Sequence, residues 1–203
     1  MNFLTALILM IAGYLIGSVP FALVIGKLFY HKDVRQYGSG NLGGTNAGRV
    51  LGLKAGFFVI LLDGLKATIP MLLLNKYLGL DYALLYGLMV PIGHCWPVFT
   101  HFSGGKAVAC SFGFVLAIAL LSWKNFIFFT IIPIVLMLLI LHFTKYVSLG
   151  SCTVPGYIVL ASFFLCPLKV SLSFILLWAL ILIKHIPNIK RLKEGTERKV
   201  SWI

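Results

Sequence analysis

The chain has 203 residues, 60% hydrophobic and 11% charged, with a mean hydropathy of +1.01. A soluble domain cannot hide that much apolar surface, so the class expected is an all-α integral membrane protein. The formal charge of +12, from 17 Lys and Arg against 5 Asp and Glu, would suit nucleic acid. Here the basic residues punctuate apolar runs without forming a stripe, so they read as topology signals and contacts for anionic substrates and membrane lipids, with no nucleic-acid partner.

In chain order, the N-terminal run MNFLTALILMIAGYLIG lacks a basic leader region and a cleavage site, and is expected to remain as the first span. Apolar segments follow one another at 3–25, 55–74, 82–93, 107–121, 125–143, 152–167 and 170–185, which predicts about seven transmembrane helices, with five as the fallback if the short ones only half-insert. Breaks fall at Lys27–Lys54, Asn75–Asp81, His94–Lys106, Ser122–Asn125, Phe143–Ser151, Pro167–Lys169 and from Lys184 onward. There is no internal repeat, and 1–203 reads as a single polytopic membrane domain. With the C-terminus cytoplasmic, 13 Lys and Arg fall inside and only Lys76, Lys124 and Lys169 outside, leaving Lys66 within a span. That asymmetry places the N-terminus outside and the loops at about 34–54, 93–113, 145–151 and 184–199 on the cytoplasmic face of the cell membrane. Cys95, Cys110, Cys152 and Cys166 show no C-x-x-C spacing, so neither disulfide framework nor metal site is expected.

The first of those loops is GSGNLGGTNAGR, Gly38–Arg49. Gly38, Gly40, Gly43, Gly44 and Gly48 permit close backbone approach; Ser39, Asn41, Thr45 and Asn46 are small hydrogen-bonding groups, and Arg49 offers a planar fork for phosphate. Asp63 and Lys66 stand three apart within the next span, where an uncompensated charge is costly, and are expected to pair as structural support. The second loop runs GHCWPVFTHFSGGKAVACSFG from Gly93, with Gly104, Gly105 and Lys106 just before an apolar helix. Such a turn points N–H groups along the positive end of a helix dipole, although the spacing is not that of a Walker A loop. His94 and His101 read as ligands, bases or plain interfacial anchors. KYVSLGS, Lys145–Ser151, adds the hydroxyls of Ser148 and Ser151. In KHIPNIKRLKEGTERK, His185 and Asn188 share a face if the helix continues through Pro187, while Lys190–Lys199 reads as a basic tail on anionic lipid.

These motifs, in this order, closely resemble the bacterial acyl-phosphate:glycerol-3-phosphate acyltransferase family from about Val34 to Lys199. The resemblance implies a seven-span inner-membrane enzyme, without a cofactor, that moves a fatty acyl group from acyl phosphate to glycerol 3-phosphate. Products are 1-acylglycerol 3-phosphate (lysophosphatidic acid) and phosphate, in the first step of phospholipid biosynthesis, and other enzymes of that synthesis are expected neighbours. Position by position, it implies Ser39, Arg49, His185 and Asn188 as catalytic residues. Gly38, Gly40, Asn41, Thr45, Asn46, Gly104, Gly105, Lys106 and Ser148 would bind substrates, and Glu197 would be structural. The chain departs from the family pattern at Gly44, where alanine is usual, at Ala47-Gly48, at Ile186-Pro187, and at Ser103, where the usual lysine and its charge are missing.

An acyl phosphate carries a good leaving group, so positioning and charge stabilisation matter more than a strong nucleophile. Direct transfer is expected, with a substrate phosphate oxygen helping to take the proton and His185 and Asn188 positioning; an acyl-Ser39 intermediate is the other route. A transporter of phosphate or another anion is the competing class, but inverted repeats and a midplane site are not evident.

Overall fold

The computed structural model describes residues 1–121 and 123–200, the side chains of 123 and 124 excepted. The expected break at Ser122–Asn125 and the Lys124 charge therefore lie partly outside the described residues. The described residues are helical and turn structure without strands, in two compact units, 1–117 and 118–203. Six stretches are long and apolar enough to cross a bilayer: Phe3–Tyr30, Leu53–Leu78, Leu80–Thr100, Ile127–Thr144, Val147–Leu165 and Leu168–Lys193. The remaining expected span, 107–121, holds only the 12-residue helix Val108–Ala119, too short by length to count with them.

The first unit begins with α1 (Phe3–Gly17) and α2 (Phe21–Tyr30), where one unbroken span had been expected over 3–25. Pro20 explains the break, because it offers no N–H and drives Val19 out of the helical region. After the short turn Val34–Gln36 come α3 (Gly44–Leu51), α4 (Leu53–Leu78), α5 (Leu80–Cys95), the turn Val98–Thr100 and α6 (Val108–Ala119). In lipid, apolar side chains give helices little reason to pair, and small residues that admit close backbones decide the contacts. Gly13 and Gly17 of α1 are such residues. A Cβ at either would overlap the Tyr86 or Val90 carbonyl of α5, and one at Gly93 would overlap Tyr14 in return. Between α4 and α6, Gly113 lies against Gly64, and Thr68 Oγ1 donates to the Gly113 carbonyl at 2.8 Å.

In the second unit, α7 (Trp123–Phe126) passes through a π-helical turn, Ile127–Ile131, into α8 (Ile132–Thr144). Pro133 cannot complete a regular helical ladder, and the wider turn just before it absorbs the missing bond. Lys145 in the left-handed region ends α8. Then α9 (Val147–Leu165) and α10 (Leu168–Lys193) pack as a pair, with Gly156 against the Trp178 ring and Trp178 Nε1 donating to the Cys152 carbonyl at 2.8 Å.

Candidate active site

In the first unit the glycine-rich stretch divides into a loop, Gly38–Gly43, and the helix α3, where a continuous loop to Arg49 had been expected. Helix forms despite the glycines because they are packing surface. A Cβ on Gly44 would overlap Ile60 Cγ1 and lie 2.9 Å from the Gly56 carbonyl, and one on Gly56 would lie 2.7 Å from Gly48 Cα. The departure from alanine at position 44 thus coincides with a close approach of α3 to α4.

Asn46 is buried, at 2% exposure, and its side chain faces into the loop. Its Oδ1 accepts from Ser39 N at 2.8 Å, and its Nδ2 donates to the carbonyls of Val34 at 3.0 Å and Tyr37 at 3.3 Å. Those bonds make it the clamp of the loop. Gly38 (φ +62°) and Gly40 (φ +68°) supply the left-handed turns, and a Cβ on Gly38 would overlap Asn46 Oδ1. The N–H groups of Ser39 and Gly40 are engaged within the loop, Gly40 donating to the Tyr37 carbonyl at 3.0 Å. At the start of α3, the N-cap Gly43 brings no side chain to the first-turn N–H groups of Gly44 and Thr45. The side chains of Ser39 and Arg49 are exposed, and that of Thr45 is half-buried.

The second glycine turn meets the first: Asn41 Nδ2 donates to the Gly104 carbonyl at 3.5 Å. Gly105 is buried and gives its N–H to the His94 carbonyl at 2.9 Å, while Lys106 is half-buried at the entrance to α6. A Cβ at Gly104 would overlap the same carbonyl, and one at Gly105 would overlap His94 Nε2. His101, Phe102 and Ala107 all adopt positive φ, so this loop is held in a conformation that L side chains resist.

Behind the turn lies a buried ionic cluster. Lys66 Nζ donates to Asp63 Oδ1 at 2.8 Å, as expected from their spacing, and also to the carbonyls of Gly17 at 2.9 Å and Val19 at 3.2 Å. The two carbonyls are those freed by the break between α1 and α2, so one ammonium closes the break and the ion pair together. His94 Nδ1 lies 3.2 Å from Lys66 Nζ and 3.4 Å from Asp63 Oδ1. Asp63, His94 and Cys110 offer ligand atoms within 4.8 Å of one another, but the cation already among them is Lys66. His94 and Cys110 were not assigned to this cluster from the sequence. The available signal was that an ammonium carries three donors, more than one aspartate three residues away can satisfy.

In the second unit α10 does continue through Pro187, and His185 and Asn188 lie buried on one face. His185 Nδ1 faces the Ile181 carbonyl at 2.9 Å; that oxygen can only accept, so Nδ1 carries the proton and Nε2 is the basic nitrogen. Asn188 Nδ2 donates to Glu197 Oε1 at 2.6 Å, Ser148 Oγ to the same oxygen at 2.9 Å, and Arg191 Nε to Glu197 Oε2 at 2.7 Å. Burial pushes the Glu197 carboxyl up, but the bonds from Asn188, Arg191 and Ser148 and the Arg191 charge outweigh it and hold the group below its ordinary range. Glu197 is thereby a staple between α9 and α10. One expectation changes here: Ser148–Ser151 belongs to the first turn of α9, with Tyr146 as its N-cap, and is not a loop. Of the basic tail, Lys190–Lys193 continue α10; beyond it Val200 is buried and gives its N–H to the Lys145 carbonyl at 2.9 Å, and Lys199 Nζ sits 5.5 Å from the centre of the Tyr146 ring.

Comparison with known proteins agrees with the geometry. Residues 7–195 match the family model described as glycerol-3-phosphate acyltransferase. The chain is 42% identical over 200 residues to the glycerol-3-phosphate acyltransferase of Geobacillus kaustophilus (98% of each chain) and 42% identical over 197 residues to that of Bacillus subtilis (97% and 98%). Among solved structures it is similar to PlsY (YgiH), an integral membrane glycerol 3-phosphate acyltransferase. The glycerol 3-phosphate form matches with TM-score 0.87 and 39% identity over 97% of this chain and 96% of that one. The lysophosphatidic acid form matches with TM-score 0.85 and 38% identity over 97% and 95%.

Proposed function

Since the chain belongs to the glycerol-3-phosphate acyltransferase family and is an integral membrane acyltransferase, we propose that its acyl donor is acyl phosphate and its acceptor glycerol 3-phosphate. The acceptor hydroxyl oxygen attacks the acyl carbonyl carbon, the bond from that carbon to the phosphate oxygen breaks, and inorganic phosphate leaves with 1-acylglycerol 3-phosphate as the product. The hydroxyl proton passes to a phosphate oxygen of a substrate. Acyl phosphate must be made by another enzyme of phospholipid synthesis.

The observation that carries this reading is the meeting of the two glycine turns at Asn41 and Gly104. Two phosphate-bearing substrates have to be brought together, and this contact brings Arg49 and the uncapped start of α3 into one framework with Lys106. In this reading Gly104, Gly105 and Lys106 receive the acceptor phosphate. Arg49, Thr45 and the α3 N-terminus take the donor side, with the Ser39 hydroxyl on the transferring group. Asn46 serves by holding Ser39, and His185 and Asn188 position the reaction from α10, where Glu197 and Ser148 fix Asn188. The 13-to-3 distribution of Lys and Arg supports an N-terminus outside the cell membrane and working loops in the cytoplasm.

The decisive experiment mixes purified protein with acyl phosphate and glycerol 3-phosphate and measures phosphate release together with lysophosphatidic acid. Release of phosphate without the lipid product would overturn the transfer. Rapid quenching after donor alone should trap no acyl-protein; a trapped adduct would move the mechanism to acyl-Ser39. An N-terminal tag should label from outside intact cells and a C-terminal tag only after permeabilisation.

A further inference from the structure

The cluster of Asp63, Lys66, His94 and Cys110 has no part in the chemistry described above, yet it lies against one of the two turns that carry it. The ammonium of Lys66 donates to Gly17 O, Val19 O and Asp63 Oδ1. His94 Nδ1 lies against this pair, 3.2 Å from Lys66 Nζ and 3.4 Å from Asp63 Oδ1. The ring is thus oriented from the Nδ1 side by a buried ion pair, and its other edge, Nε2, abuts Gly105 so closely that no Cβ fits between them. The same residue's carbonyl accepts the Gly105 N–H at 2.9 Å. His94 therefore grips Gly105 at two points, through main chain and through ring, with its side chain only 5% exposed.

We propose that His94 is a positioning residue for transfer: braced by Asp63 and Lys66, it sets the placement of the Gly104–Gly105 turn and so the fit of the acceptor phosphate. The inference rests on the assignment of that turn to glycerol 3-phosphate. It gives the ion pair a role in substrate affinity besides closing the break between α1 and α2. It also explains why the glycine is needed at position 105, whose φ is not in the left-handed region: the requirement comes from the imidazole edge behind it.

The test is a double-mutant cycle on His94→Asn and Gly105→Ala, reading kcat and both KM values with acyl phosphate and glycerol 3-phosphate. Asparagine can still offer an N–H near the position of Nδ1, keeping the buried carboxylate bonded, but removes the ring edge. His94→Asn should raise the acceptor KM about tenfold while the donor KM and the thermal midpoint stay near those of the parent, a split that a loss of folded protein would not produce. Gly105→Ala should raise the acceptor KM at least as much. In the double variant the methyl occupies the space the ring has left, so its KM should fall below that of Gly105→Ala alone. Multiplying, independent effects, or a His94→Asn variant with the parent's KM values for both substrates, would overturn the positioning role. Failure of the assignment beneath it looks different: the two sites would still be coupled, but in the donor KM and not the acceptor KM.

Discussion

Gly56→Ala is expected to push α3 away from α4 and so to reach the residues that α3 carries. Its Cβ would lie 2.7 Å from Gly48 Cα and 2.9 Å from both Gly44 O and Gly48 N, three backbone atoms that no rotamer change can move. Ordinary contact begins at 3.4 Å, so α3 must retreat from α4 by 3.4 − 2.7, or about 0.7 Å. Overpacking of that kind costs about 1–3 kcal/mol, against which alanine's better helix propensity returns up to about 1 kcal/mol. Because α3 carries Thr45 and Arg49, the same displacement should lower kcat/KM by about 10- to 100-fold, on the scale of a misplaced catalytic group. The matching control is Gly48→Ala on the opposite side of the contact. There the nearest atom, Gly56 Cα, would be 3.8 Å away, so stability should hold or rise by about 0.5–1 kcal/mol with activity preserved. Phosphate release and residual activity after heating, measured in detergent or reconstituted bilayers, read both quantities. Equal losses in the two variants, or a Gly56→Ala enzyme at the parent's rate, would refute the close crossing.

Arg49→Lys keeps the charge but loses the planar fork, and turnover should fall by about one to three orders of magnitude; a near-normal rate in folded protein would remove Arg49 from the phosphate site. Asn46→Asp retains the acceptor for Ser39 N but loses both donors to Val34 and Tyr37, so activity should drop with the KM of both substrates disturbed, while an unaltered rate would refute the clamp. For Glu197 the sign of the pH effect follows from its lowered folded pKa: its stabilisation is complete above the ordinary value of about 4.5 and fades as pH falls through the lower folded value. Thermal midpoints should therefore fall on acidification through that range in the parent and much less in Glu197→Gln, whose midpoint should already be lower at neutral pH.

The apolar segments were legible because a bilayer demands long runs of one kind of residue, and each expected segment holds a helix among the described residues. What the runs conceal is where a helix stops inside them. Pro20 stands in a stretch as apolar as its surroundings, and the donor that makes its break tolerable is the ammonium of Lys66, more than 40 residues on. The start of α3 was hidden for the opposite reason, since glycine reads locally as loop while here Gly44 and Gly48 answer to Gly56 across a helix crossing. Asn46 and Ser148 look like ligand contacts by residue type; only the third dimension supplies Val34, Tyr37 and Glu197 as partners. The Asp63–Lys66 pairing was readable because i and i+3 share a helix face, whereas His94 reaches the pair from α5.

The shortness of α6 has a consequence for where the chemistry takes place relative to the lipid. Twelve residues rise about 18 Å, against a hydrocarbon thickness of about 30 Å, whereas the 26 residues of α4 rise about 39 Å. A helix that short cannot keep both of its ends at the headgroups of an undeformed bilayer, so the turn at one end is drawn below the headgroup plane or the bilayer thins to meet it. Irregular backbone survives at such depth only when protein satisfies it. In the turn before α6, protein satisfies Ser103 N, bonded to the Thr100 carbonyl, and Gly105 N, bonded to that of His94. Where that end is the turn before α6, a fatty acyl donor dissolved in the leaflet would reach it while its chain stays in hydrocarbon, and on the proposed assignment the water-soluble acceptor is the substrate that has to descend.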